Sequence, residues 1–211
     1  RQPARLMELR PEQLAVLPAD KPLAPVYLVA GPERLRVLEA ADGVRRAARA
    51  QGIGEREVHQ ADERDFDWSQ LAASFHAPSL FSPRRLIELR LPTGKPGKEG
   101  SEVLRQFCEQ PPGDVVLLIT AEDWSRAHAS GKWFEAISQC GVVAVAWAIK
   151  PHELPDWIER RLRGHGLRAE RDAVALLAER VEGNLLAAAQ EIDKLALLAD
   201  GRTLDAPLLA D

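Results

Sequence analysis

The chain reads as an α/β protein, with a parallel-sheet domain over residues 1–150 and a small bundle of three helices over residues 151–211. Three observations lead there. The apolar runs at Val26–Ala30 and at 114–120 are continuous rather than alternating, as strands buried on both faces are. Segments with helical spacing fall between such runs, so strand and helix alternate. After Lys150-Pro151 the alternation stops, and three helical segments follow without a strand between them.

Residues 7–17 hold Pro11-Glu12-Gln13-Leu14, with proline early and an acid in the first turn, which predicts a first helix. Pro22 and Pro25 break the chain before the strand Val26–Ala30, and Gly31-Pro32 ends that strand. A long helix is predicted over 33–51, where Leu35, Leu38 and Ala41 fall on one side and Asp42, Arg45 and Arg49 on another. Residues 57–60 make a weak second strand. Asp67 is an N-cap for a helix over 68–75, and a third strand follows at 85–91. Residues 92–100 are rich in glycine, proline and lysine and read as a polar loop, with Ser101 capping a helix through Glu109. Pro111-Pro112-Gly113 turns the chain into the strand 114–120; a helix over 132–138 and a last strand over 141–147 complete the domain. The helices of the bundle are expected at 152–163, 170–181 and 184–199. Ala206-Pro207-Leu208-Leu209 begins an element that the sequence ends at Asp211. Arg1 stands where an initiator methionine would, and Met7 is a sensible start, so residues 1–6 are expected to be dispensable.

At 45% hydrophobic and 28% charged residues the composition is that of a globular protein, and a formal charge of −4 argues against free-standing nucleic-acid binding. The 22 arginines against 6 lysines reflect genomic composition. Cys108 and Cys140 lack metal-ligand spacing and read as buried thiols of a reducing cytoplasm. No apolar run approaches the roughly 18 residues of a membrane span, and no signal peptide is visible.

A glycine between the first strand and a long helix is where a phosphate-binding loop would stand. That motif needs Gly-Lys-Ser or Gly-Lys-Thr five residues after its first glycine. Counted from Gly31, those places hold Arg36, Val37 and Leu38, so the cradle glycine, the lysine and the magnesium hydroxyl are missing. Glu122 and Asp123 come slightly late for a metal-binding acid and read as surface acids or a helix cap. The histidines at 59, 76, 128, 152 and 165 have no spacing that suggests a metal site, and no serine sits in a nucleophile elbow. The acids Asp62, Glu63, Asp65 and Asp67 read as solvated. Arg160, Arg161, Arg163 and Arg168 read as an exposed helix face, with phosphate contact inside a larger assembly as the weaker reading. Trp124, Trp133, Trp147 and Trp157 read as core and interdomain packing. No catalytic residue and no cofactor is therefore assigned.

What remains is the turn His76-Ala77-Pro78-Ser79-Leu80-Phe81-Ser82-Pro83. Its prolines stiffen it and force a helix to end. The adjacent Leu80 and Phe81 either tuck into the core or wait for a partner's pocket.

The strand Val26–Ala30 with its motif-free glycine turn, the run from His76 to Phe81, Gly183-Asn184-Leu185-Leu186-Ala187 before Glu191-Ile192-Asp193-Lys194-Leu195, and the opening Leu9-Arg10-Pro11-Glu12-Gln13-Leu14 together resemble the delta subunit of the bacterial DNA polymerase III clamp loader. The resemblance covers about residues 7–211 and rests on the order and spacing of these segments. It implies an AAA+-like (RecA-type) α/β domain that does not bind ATP, then a small helical domain, with the C-terminal collar domain of the family absent from this chain. It also implies a non-catalytic role in replication. Pro78, Ser79, Leu80 and Phe81 would contact the sliding clamp (the beta subunit), with Leu80 and Phe81 as anchors, and would help hold its ring open. Some members have methionine where this chain has Pro78. Other loader subunits would be partners through the collar, their ATP would govern exposure of the turn, and primed DNA would be met only within the assembly, in the cytoplasm and with no membrane. Arg84 and Arg85 are expected to tune association and its salt dependence. Two rivals stand beside this reading. One is a nucleotide-binding α/β enzyme with an unusual phosphate loop, and the other a scaffold subunit of another AAA+ assembly. The loader's other non-hydrolysing subunit would need a cysteine zinc cluster that two cysteines cannot make.

Overall fold

Continuous apolar segments become central strands here because both of their faces are covered. The structure is a computed structural model and describes residues 7–61, 65–79, 82–198 and 203–205. Strand β1 is Met7–Glu8, β2 Val26–Ala30, β3 Glu55–Gln60, β4 Arg85–Arg90, β5 Val115–Ala121 and β6 Val142–Val145. They form one six-stranded sheet in the order β1-β6-β2-β5-β4-β3. Every pairing is parallel. Strand β2 is buried at all five positions and lies between β5 and β6.

Side chains leave the sheet alternately to two cores. Helices α1 (Pro11–Ala15) and α2 (Arg34–Ala50) cover one face, where Leu14, Val37 and Val44 meet Tyr27, Val29 and Leu118. Helices α3 (Trp68–His76), α4 (Gly97–Glu109) and α5 (Lys132–Cys140) cover the other, where Leu71, Phe75, Leu104, Phe107 and Ile137 meet Leu28, Ile87 and Leu117. Helix α1 can lie close on α2 because Gly43 has no side chain; a Cβ there would stand 1.9 Å from the Leu14 carbonyl oxygen.

The domain departs from its sequence reading in three places. Met7–Glu8, where no strand is predicted, pairs with Val142 and Val143 as β1, while α1 starts at Pro11 as predicted. The α4 helix starts at Gly97, so the loop after β4 is short and Ser101 lies inside the helix rather than capping it. Strand β3 begins at Glu55, two residues early. Asp67 does cap α3, with its carboxylate accepting from the Gln70 N–H at 3.0 Å.

Two charged side chains of β4, Arg85 and Glu88, are buried among the described residues. Glu88 of β4 is 1% exposed and accepts two hydrogen bonds each from Arg45 of α2 (2.7 and 2.9 Å) and Arg56 of β3 (2.6 and 2.9 Å). Both guanidinium groups are bidentate, which is the strong form of this pairing. Burial alone would raise the Glu88 carboxyl above its ordinary value, but the hydrogen bonds and charges of Arg45 and Arg56 together outweigh it and hold it below 4.5.

The chain divides into two compact units, residues 1–147 and 148–211. The second consists of α6 (Leu154–Gly164), α7 (Arg171–Val181) and α8 (Leu185–Leu198), each packed on the other two. Trp157, Ile158 and Leu162 point inward with Val174, Leu177, Leu185 and Ile192. The left-handed pair Glu182 and Gly183 ends α7, and the Asn184 side chain accepts from the Ala187 N–H to start α8. Leu204 closes on Ala169 in a parallel bridge. Residues 206–211 lie outside the described residues.

Candidate functional site

The expected site begins where α3 must stop. Phe75 anchors the end of α3 in the core, and Ala77 is extended (φ −67°, ψ 137°) as Pro78 requires. Pro78 is exposed and Ser79 half-buried. The expected anchors Leu80 and Phe81 lie outside the described residues. Their flanks are fixed. The Ser79 hydroxyl donates to the Glu55 carboxylate at 2.6 Å, and its oxygen accepts from the Ser82 N–H at 3.1 Å. Ser82 Oγ donates to the Gly52 carbonyl at 3.3 Å.

Arg85 differs from expectation. It is 2% exposed, donates from Nη2 to the Ser74 carbonyl at 2.9 Å and stands 3.8 Å from Glu57, so it ties the last turn of α3 to the sheet rather than facing a partner. Arg84 is half-buried. Local sequence pattern marks neither Glu55 nor Arg85 as a holder of the turn. The one signal was their place at the starts of strands that turn out to be neighbours in register.

Two cavities flank this half of the domain. A groove of 310 Å³ runs between the ends of α3 and α4, floored by Phe75 and Phe107, whose rings meet edge-on at 4.8 Å. A larger cavity of 570 Å³ lies where α4 and α5 begin, lined by Lys95, Lys98 and Lys132 with Ser101, Ser125 and His128. No carboxylate lines it among the described residues. Helix N-termini carry partial positive charge, so two of them and three ammonium groups make it attractive to anions.

Just before α2, two backbone donors that could face a phosphate are used within the protein. The Gly31 N–H bonds to Ala121 O at 2.9 Å and the Glu33 N–H to Ala146 O at 3.1 Å. A Cβ at Gly31 would lie 2.1 Å from Ala146 O, so this glycine serves a close approach of β2 to the end of β6. Arg36 is held by Glu12 (2.7 Å) and the Trp147 carbonyl (2.6 Å), while Val37 is in the core.

The remaining candidates are dispersed. Glu122 pairs loosely with Arg34 at 3.8 Å. His59 meets Glu57, and His165 meets Asp193. His128 stacks on Trp124. Among the described residues no three metal-ligating side chains gather. Asp62 and Glu63 lie outside the described residues. Cys108 and Cys140 are free and half-buried, and the Cys108 thiol is pushed up by its hydrogen bond to Cys140 and by burial. Arg163 pairs with Glu159, and Arg161 stands 5.3 Å over the Trp157 ring. Trp124, Trp133 and Trp157 are buried, but Trp147 is 41% exposed. Among the described residues no helix is long and apolar enough to cross a membrane.

Comparison with known proteins gives a consistent result. The family described as "DNA polymerase III, delta subunit" matches residues 27–145. DNA polymerase III subunit delta of Escherichia coli K12 is 31% identical over 198 residues, covering 93% of this chain and 57% of that protein. Its Haemophilus influenzae counterpart is 29% identical over 182 residues, covering 83% and 52%. The chain thus spans just over half the length of these relatives. Among solved structures, the Bacillus subtilis DNA clamp loader delta protein superposes with a TM-score of 0.69 at 19% identity, covering 89% of this chain and 57% of that one. The Thermotoga maritima RuvB Holliday junction branch migration motor gives 0.51 at 16% identity, covering 89% and 60%. These two likenesses speak to the RecA-like α/β fold, whereas the family match covers more than half of the sequence, and on that match the chain belongs to the DNA polymerase III delta subunit family.

Proposed function

We propose that this chain is a non-catalytic clamp loader subunit that binds the sliding clamp through Pro78, Ser79, Leu80 and Phe81 and helps hold the clamp ring open for loading on primed DNA during replication. The observation that carries the reading is the turn itself, exposed at Pro78 and hydrogen-bonded at Ser79 and Ser82 on either side of two adjacent large apolar residues. Two adjacent apolar side chains between prolines are what a partner's apolar pocket would take. Opening the ring requires only that the open form bind more tightly than the closed one. The groove beside Phe75 offers further surface next to the turn. Other loader subunits are its partners in the assembly, and the lysine-lined cavity at the starts of α4 and α5 suits a DNA phosphate brought near it there. The bacterial cytoplasm is where such an assembly works.

The test is direct binding of the cognate sliding clamp to the immobilised chain. Saturable binding is expected, and none at micromolar clamp would overturn the reading. A second measurement addresses the non-catalytic part. Arg36, Val37 and Leu38 replace the phosphate-loop residues, and the nearby N–H groups of Gly31 and Glu33 are already paired. Calorimetry with ATP and magnesium should therefore give no binding heat, and micromolar affinity would return the chain to the nucleotide-using class.

A further inference from the structure

We propose that Glu55 is a positioning residue for clamp docking: it holds Ser79, and through it Ser82, without touching the clamp. The inference rests on the reading that residues 78–81 dock on the clamp. Glu55 is the first residue of β3, the strand at one end of the sheet, and its side chain is half-buried. Its Oε2 accepts the Ser79 hydroxyl at 2.6 Å, the short distance of a charge-assisted O–H···O⁻ bond. A hydroxyl that gives its proton to a carboxylate becomes a better acceptor, and the same oxygen takes the Ser82 N–H at 3.1 Å. One carboxylate thereby supports a bond that closes the chain from residue 79 to residue 82. The exit is held to the same short stretch, since Ser82 Oγ donates to Gly52 O and accepts from the Arg84 N–H at 3.4 Å. Entrance and exit of the Leu80-Phe81 pair are both tied to residues 52–55.

Without the carboxylate the Ser79 hydroxyl loses this acceptor, and Ser79 and Ser82 are held together for a smaller part of the time. Apparent affinity falls by the fraction that remains competent. Contacts in the bound state are unchanged, so the loss falls on the association rate and leaves dissociation alone. This is the opposite of most interface substitutions, which act on dissociation.

Clamp binding kinetics of the chain test this with five variants. Glu55→Ala should slow association about tenfold, equivalent to about 1.4 kcal/mol. Glu55→Gln keeps an acceptor oxygen without the charge and should restore association to within about threefold of wild type. Ser79→Ala also removes the acceptor of the Ser82 N–H and should slow association at least as much as Glu55→Ala, and the double variant should lose little more than Ser79→Ala, because the Glu55 bond needs both partners. Loss of association in Glu55→Gln equal to that in Glu55→Ala would mean that charge steering acts there and would overturn the tether. Faster dissociation in Glu55→Ala would make it a direct contact and overturn it equally. The fifth variant, Leu80→Ala with Phe81→Ala, separates the two readings. If wild type binds, this variant fails and Glu55→Ala binds like wild type, the inference falls while docking through the turn stands. If wild type does not bind, the docking reading falls and takes the inference with it.

Discussion

Replacing Leu80 and Phe81 together by alanine is expected to weaken binding of the sliding clamp by on the order of a thousandfold. Each side chain fully buried in a partner's pocket contributes roughly 1.5–3 kcal/mol. Truncating an anchor at the centre of an interface costs about 2–4 kcal/mol. Two adjacent anchors share one pocket region, so their losses add incompletely. Thermal unfolding distinguishes this from a role in the chain's own core. Loss of such side chains from a packed core would lower stability by about 2–5 kcal/mol. The expected result is lost affinity at unchanged melting temperature. Retained affinity with a large fall in melting temperature would assign Leu80 and Phe81 to the core and remove the basis of the proposed contact.

The second large effect concerns stability. Glu88→Ala is expected to destabilise the α/β unit by about 3 kcal/mol, the lower end of what breaking a buried ion pair costs. The argument rests on Arg45, which keeps its guanidinium mostly buried and would lose its two bonds to Glu88. Arg56 is 44% exposed and can return to water, so its share of the pairing adds little. For a protein of this size the melting temperature should fall by about 10 °C. The pH dependence has a definite sign. The folded-state value of Glu88 is depressed, so its contribution is fully present above the unfolded-state value near 4.5 and is lost as pH falls through the lower folded-state value. Urea unfolding from pH 7 to pH 3 should show the stability gap between wild type and Glu88→Ala closing at the acid end. Equal urea midpoints at pH 7 would show that the Glu88 cluster is not what holds α2 on β4.

Much of this fold is legible in the sequence because it depends on local pattern. The central strands β2 and β5 announce themselves as unbroken apolar runs, and Asp67 as a cap by its place before a helical period. What escapes a reading by segments is whatever depends on register. Met7–Glu8 is a strand only because β6 runs beside it, and its two residues carry no strand signal of their own. Gly97 starts α4 after a run of glycine, proline and lysine that locally spells a loop. Glu88 meets Arg45 and Arg56 across 43 and 32 residues, and Glu55 meets Ser79 across 24. The turn at Pro78 could be singled out from its prolines and apolar pair, but not the carboxylate and the buried Arg85 behind it. Those become neighbours only once β3 is laid beside β4.

The strand that supplies Glu55 also bears on solubility. Strand β3 ends the sheet, so among the described residues one side of its backbone has no strand partner. An unpaired edge invites another strand, and natural proteins discourage this with charge or by keeping the edge short. Both remedies are present. Glu55, Arg56, Glu57, His59 and Gln60 leave only Val58 apolar along β3, and the opposite edge, β1, is two residues long. Copies of this chain crowded together thus meet, among the described residues, a charged strand at one edge of the sheet and a two-residue strand at the other, and neither is a template for fibrous growth.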